Sequence, residues 1–410
     1  MSARPRLRVS RRVLIPVEAP WVDAPDELGY GLSILLTNTA YARVQGRELL
    51  QLYSLQVHSD TTGTVYARRS RDNGMGWDPP EVVHRPHPGP RGIHRWGEAC
   101  LFLDEESDRL LHLFNDQHYP DGTFSGPAKR HTRIMLRHSD DGGRTFSPPA
   151  PLVTAGGDET RWAPGTIYGE NCTQLSFCAP LKLADGTLLL PACRIPLGSD
   201  YRDVAGIRWE AGCFRGSRCA GELRWELGGM LAIDAGRSTR GLDEPTVAEL
   251  ADGRIMMVMR GSNDRAPHLP GRKWLALSRD GGNTWDRPRP FGYADGSPFY
   301  SPAAGSRLIR SFATGRLYWI GNVLDANPAG NRPRHPLHIA EVDEARPALR
   351  PETVHTIDDR GRADSPSLQL SNFRVYEDRA TGEIVVTLAR LQQAGERDHA
   401  SPAYEYRIRV

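Results

Sequence analysis

The 410-residue sequence predicts an all-β fold: a six-bladed β-propeller of four-stranded antiparallel blades, spanning residues 1–410 as one domain. Three observations carry that prediction: a hairpin motif that recurs three times, a pair of apolar strands that recurs six times, and the absence of any long amphipathic helical pattern. Turn-forming residues are plentiful, with 41 Gly and 32 Pro beside 39% hydrophobic residues. Short strands joined by tight turns need that composition.

The hairpin motif reads SRDNGMGW from Ser70, SDDGGRTF from Ser139 and SRDGGNTW from Ser278. Each copy has Ser, Asp two residues later, Gly four later and an aromatic ring seven later (Trp77, Phe146, Trp285). A strand precedes each copy, so the Asp is expected to bond turn amides while the ring plugs a gap between strands on the outer rim. A fully buried ring in that position is worth about 3 to 5 kcal/mol.

The strand pairs follow in chain order: ARVQGRELLQLYSLQ, CLFLDEESDRLLHLFNDQ, APLKLADGTLLLPACRIP, TVAELADGRIMMVMRGS, RLIRSFATGRLYWIGNV and FRVYEDRATGEIVVTLAR. Taking Asn38, Glu98, Asn171, Glu244, Ser301 and Asn372 as the residues that open the blades, the steps between them are 60, 73, 73, 57 and 71 residues. Each step holds one four-stranded meander. The segment of about residues 1–30, containing LIPVEAP, is expected to lead in or to supply a strand that closes the ring, as is the final YEYRIRV.

Charge and cysteine usage narrow the function classes. Lys plus Arg is 52 and Asp plus Glu is 50, so the balance of +2 argues for neither a nucleic-acid nor a membrane partner. No stretch approaches the roughly 18 apolar residues of a membrane span. The five-residue apolar run before Glu18 is too short for a signal-peptide core, and a cytoplasmic location is expected. Cys100, Cys172, Cys178, Cys193, Cys213 and Cys219 form no CxxC pair and no Cys/His zinc spacing, so neither a metal site nor a cofactor is predicted. Free thiols are the expectation; Cys213 and Cys219 would close a loop only in an exported protein.

The three hairpins resemble the Asp boxes, or BNR repeats, of the sialidase superfamily, and EPTVAELADGRIMMVMRGS resembles that family's fourth-blade segment. The resemblance covers most of residues 30 to 410. It implies a glutamate that activates a tyrosine nucleophile and an arginine, ending the next strand, that belongs to a three-arginine clamp for a substrate carboxylate. Glu244 and Arg260 stand at those positions, and Arg332 or Arg334 stands where the resemblance places another clamp arginine. Two departures matter. Leu370, preceding Ser371, falls where the tyrosine is expected, and leucine forms no covalent glycosyl intermediate. The family's first-blade Phe-Arg-Ile-Pro is missing; CRIP at Cys193 to Pro196 lies in the third blade and is treated as coincidence.

Propeller geometry gathers further candidates. Blade-opening residues and the ends of second strands converge on one funnel, and those second strands end at Ser54, Asn115, Arg194, Arg260, Asn322 and Arg390. A guanidinium grips a carboxylate through two parallel hydrogen bonds, so Arg260, Arg194 and Arg390 are candidate substrate ligands, with the ligand as the expected partner of Arg260. Inter-blade ion pairing is the competing role for each. His94, Trp96 and Asn171 are further binding candidates, and Trp96 and Trp162 are either sugar platforms or inter-blade filler. Glu98, Asp116, His118, Tyr119 and Tyr300 join Glu244 as candidate catalytic groups, with Asp60, Tyr168 and Glu170 nearby.

Three functions fit. An exo-acting glycoside hydrolase on a carboxylate-bearing sugar would protonate the leaving oxygen from Asp60, Glu98 or Asp116 while a second group attacks or activates water. A uronate lyase would neutralise the sugar carboxylate with arginines and remove the adjacent proton with Tyr119, Tyr300 or His118. A non-catalytic propeller would bind a glycan or protein through the same funnel. An acidic oligosaccharide or glycoside is the expected partner in the first two.

Overall fold

The computed structural model describes residues 7–16, 33–58, 61–89, 92–120, 131–176, 178–199, 207–396 and 401–410. Its six sheets are antiparallel, and all but the last follow chain order from an inner strand outwards. Apart from a 3-10 turn at Pro351–Thr353, the regular structure among the described residues is β. Blade one runs Ser33–Tyr41, Leu49–His58, Thr61–Ser70 and Glu81–His84. Blade two runs Gly92–Asp104, Arg109–Tyr119, His131–Ser139 and Ala150–Pro151, with the short His87–Gly89 strand added to its inner edge. In blade three the inner strand is split into Thr173–Leu175 and Leu181–Lys182, both paired with Leu188–Arg194. Glu210–Cys219 and Glu222–Leu231 complete that blade.

Blade four consists of Asp243–Glu249, Ile255–Arg260, Lys273–Ser278 and Arg289–Pro290. Blade five starts with Arg307–Arg310, Leu317–Gly321 and Leu337–Asp343; Ala348–Leu349 and His355–Asp358 both pair with its third strand. Blade six joins the two ends of the chain. Arg374–Glu377, Ile384–Ala389 and Ala403–Arg409 come from the C-terminal part, and Arg8–Ile15 adds the outermost strand against Ala403–Arg409.

Apolar side chains pack between blades. Phe291, Phe299 and Trp319 join blades four and five, while Trp162, Phe214 and Leu113 join blades two and three. Alternate residues of each strand face opposite neighbours, so one blade serves two seams. Met256 and Val258 face blade five, whereas Met257 and Met259 face blade three.

Ser70, Ser139 and Ser278 end the third strands of blades one, two and four, in equivalent hairpins on the face opposite the funnel. Each Ser Oγ donates to the Asp two residues on, at 2.8, 2.7 and 2.8 Å, and accepts the N–H of the Gly four on. The glycine is required: at Gly143, where φ is +77°, an added Cβ would lie 2.6 Å from Leu50 and 3.1 Å from Leu110. Trp77, Phe146 and Trp285 are only half-buried, which lowers the energy expected of each ring.

All six cysteines are free. Cys213 and Cys219 lie on one extended strand, Glu210–Cys219, where a six-residue separation spans roughly 20 Å, so no bridge between them is possible.

Candidate active site

Inner strands begin at the funnel and second strands return to it, which brings Glu244 and Arg260 together at the opening of blade four. Arg260 pairs in register with Asp243, and the ladder slips by one step before Thr246. That bulge puts Glu244 at φ +45°, a left-handed backbone that costs a non-glycine residue about 1 kcal/mol. The Asp243 carboxylate helps hold it by accepting the Glu244 N–H at 2.8 Å. Arg260 Nη1 then donates to Glu244 Oε1 at 2.8 Å, and its Nη2 donates to Asn331 at 3.2 Å. Arg260 thus lies within reach of Glu244, as expected, and that carboxylate holds it alongside any ligand.

The other oxygen, Glu244 Oε2, is buried and accepts no hydrogen bond from the described residues. Gly305 lies against it, where an added Cβ would stand 3.1 Å away. Burial pushes the Glu244 carboxyl up, but Arg260, Arg334, Lys273 and Arg307 outweigh that and hold it below its usual range. Asp243 moves the opposite way: burial and the Glu244 charge raise it, and Arg260 only partly offsets them. The pair thus divides into an ionised Glu244 and a protonation-prone Asp243.

Arg334 reaches this group from blade five. Its Nη1 donates to Gln369 at 2.9 Å and Ser371 at 3.4 Å, and its Nη2 to the Ala303 carbonyl at 2.8 Å, all neutral acceptors. Leu370, beside Ser371, is fully buried in the seam between blades five and six, so the position of the missing tyrosine is filled by packing. Lys273, which the sequence reading did not single out, is 1% exposed and donates to the carbonyls of Pro302 and Ala304. Burial lowers its amine to about 7, with Glu244 opposing that shift and Arg260 and Arg334 adding to it.

A second polar cluster stands at the funnel end of blade two. His87, His94, His118 and His131 pair in successive register across four strands. Their rings lie 5.5, 4.5 and 5.8 Å apart. Asp116 contacts His94 Nδ1 at 3.0 Å and accepts from Arg133 at 3.4 Å, and Arg133 lies 4.4 Å over the Tyr168 ring. Trp96 is sandwiched between His84 at 4.3 Å and Phe114 at 4.1 Å, so neither face is open to a sugar. Trp162 is likewise buried filler.

The remaining candidates are placed elsewhere. The Arg390 side chain is 4% exposed and paired with Asp358 of blade five and, at 2.6 Å, with Asp364; these carboxylates take up its charge as an inter-blade ion pair. Arg194 is held by Glu210 at 2.7 Å and by the Pro164 carbonyl. Arg332 pairs with Glu396 at 2.8 Å near the surface. Asn171 ties its loop together by donating to the Gly165 and Ile195 carbonyls. Tyr119 is buried with its hydroxyl on Gln117, and Tyr300 lies under Arg272 at 5.3 Å. Asp60 and the Glu98 side chain lie outside the described residues. Among the described residues no cluster of His, Cys, Asp and Glu has the geometry of a metal site.

A cavity of about 1010 Å³ occupies the lower half of the central channel, on the face of the Ser-Asp-Gly hairpins. Arg307 lines its wall, and Arg307 is also one of the four cations acting on Glu244. The cavity therefore ends beneath the candidate site rather than containing it.

The BNR repeat-like domain matches residues 58–362 of the chain. No curated protein matches it. Among solved structures, a protein of unknown function from Dyadobacter fermentans DSM 18053 superposes with a TM-score of 0.65 at 14% identity, covering 99% of this chain and 100% of that one. A mutant Trypanosoma rangeli sialidase displaying trans-sialidase activity gives 0.62 at 13% identity, covering 97% of this chain but 58% of its own. The Penicillium chrysogenum alpha-L-arabinanase complexed with arabinobiose gives 0.56 at 15% identity, with 99% and 98% covered. At these identities the likeness is one of fold.

Proposed function

Because the chain belongs to the BNR repeat-like domain family and folds as a sialidase-like propeller, we propose that it is an exo-acting glycoside hydrolase for a carboxylate-bearing sugar. The observation that carries the proposal is the buried Oε2 of Glu244, which accepts no hydrogen bond from the described residues and stands in the field of Arg260 and Arg334. Arg334, which reaches the Glu244 group from blade five, is assigned to the sugar carboxylate. Arg260 shares that task with its hold on Glu244. Glu244, kept ionised by its four cations, accepts a proton from the attacking water. With Leu370 buried, no covalent tyrosine intermediate forms, and water attacks the sugar directly.

Protonation of the leaving oxygen is assigned to the blade-two side of the funnel, where His94 and Asp116 form a hydrogen-bonded pair. Elimination is the weaker reading because two of its three candidate bases are buried, Tyr119 with its hydroxyl on Gln117 and His118 stacked between His94 and His131. The test is incubation with sialosides and with uronate-containing oligosaccharides. New reducing ends should appear without the ultraviolet absorbance of an unsaturated product, and a fluorinated sialic-acid probe should leave every tyrosine unlabelled. Rising absorbance would replace hydrolysis with elimination, and a stable tyrosine adduct would restore the covalent route.

A further inference from the structure

Three successive carbonyls in the turn that opens blade five all point at cations, the buried Lys273 and the half-buried Arg334. Pro302 and Ala304 accept from Lys273, and Ala303, between them, accepts from Arg334. The next residue, Gly305, is the one that abuts Glu244 Oε2. The lysine itself belongs to blade four, in register with Arg260. One buried ammonium on the third strand of blade four therefore ties the blade that carries the Glu244–Arg260 pair to the turn that carries Gly305 and anchors Arg334. The chain has only three lysines, Lys129, Lys182 and Lys273, against 49 arginines among its 52 basic residues.

We infer that Lys273 is the positioning residue of this site, clasping the Pro302–Ala304 turn so that Gly305 and Arg334 stand beside Glu244. The inference rests on the Glu244 group being the ligand site. Arginine's wide planar fork does not fit two carbonyls of one tight turn, whereas an ammonium directs its three donors freely. The charged groups acting on it are Glu244 from the inner strand, Arg260 from the second strand and Arg334 from blade five. Burial and the two guanidinium groups bring its proton loss near neutrality, so the clasp weakens as pH rises through that range.

The probe-free test is lysine-selective NMR on the full chain, which gives three side-chain signals. One should titrate near neutrality and be missing in Lys273→Met, and the Ala303 and Ala304 amides should exchange faster above that titration in the parent protein. A Lys273 signal that titrates in the ordinary lysine range, or turn amides indifferent to pH, would overturn the proton-dependent clasp. The second test measures binding of N-acetylneuraminic acid and glucuronic acid. Below the titration, Lys273→Met should weaken the bound sugar by about tenfold or more while its urea midpoint holds, because an apolar side chain replaces a buried charge. Lys273→Arg should bind weakly and show no neutral pH limb. Lys273→Met binding as tightly as the parent refutes the positioning role. If the parent binds neither sugar, the substrate reading fails, and NMR and amide exchange still decide the clasp.

Discussion

Replacing Arg260 with Met tests what holds the candidate site together. Its guanidinium lies 2.8 Å from Glu244, and both side chains are about nine-tenths buried. At that distance and an effective dielectric of about 20, the attraction is roughly 6 kcal/mol before desolvation is subtracted. Removing one partner of a buried pair costs about 3 to 5 kcal/mol. Arg334, Lys273 and Arg307 remain around the carboxylate, so the lower end, about 3 kcal/mol, is expected. Arg260→Lys keeps the charge but gives up the simultaneous grip on Glu244 and Asn331. It should cost about 1 kcal/mol of stability and at least tenfold in efficiency on a carboxylated sugar, about 1.4 kcal/mol.

Urea unfolding across pH, together with initial rates, checks both variants. A carboxyl held below its unfolded value of 4.5 contributes stability above that pH and loses it as pH falls through the folded value. Without Arg260 the folded value rises, so Arg260→Met should lack part of the acid-labile stability seen in the parent. A variant as stable as the parent, with an unchanged acid limb, would refute the claim that this pair fixes Glu244.

Two other perturbations separate structure from function. Arg390→Met leaves Asp358 and Asp364 without their shared cation, so it should cost about 3 to 5 kcal/mol in denaturant titrations while the folded fraction keeps normal sugar affinity; the reverse pattern would return Arg390 to the site. Trp285→Ala removes a half-buried ring and should cost about 1.5 to 3 kcal/mol, less than a core tryptophan. A measured loss above that range would mean the hairpin ring is a deeper plug than its exposure indicates.

Architecture was legible because it repeats: Ser70, Ser139 and Ser278 mark the same hairpin three times, and strand pairing enforces the period. Glu244 and Arg260 were legible because one hairpin brings together residues on its own two strands. Arg390 occupies the same strand-end position as Arg260, yet its carboxylates, Asp358 and Asp364, arrive from another segment whose path no local pattern discloses. Lys273 was missed for a related reason: its partners are main-chain carbonyls of a turn in the next blade, and a carbonyl leaves no mark in a sequence. Its one signal was compositional, a lysine kept at a strand start in a chain with 49 arginines and only two other lysines. Trp96 invited a sugar-stacking role, and only the placement of His84 and Phe114 on its two faces removed it.

Blade six is the one sheet assembled from both ends of the chain, and its pairing fixes how the ring responds to load. Arg8 stands opposite Arg409, so the two outer ends of the paired strands emerge side by side. Tension applied through them separates the Arg8–Arg409 rung first and then each rung in turn, an unzipping in which a single pair bears the force at any moment. A covalent cross-link between the two strands at the Arg8–Arg409 rung would remove that weak direction, because the two backbones are already neighbours there.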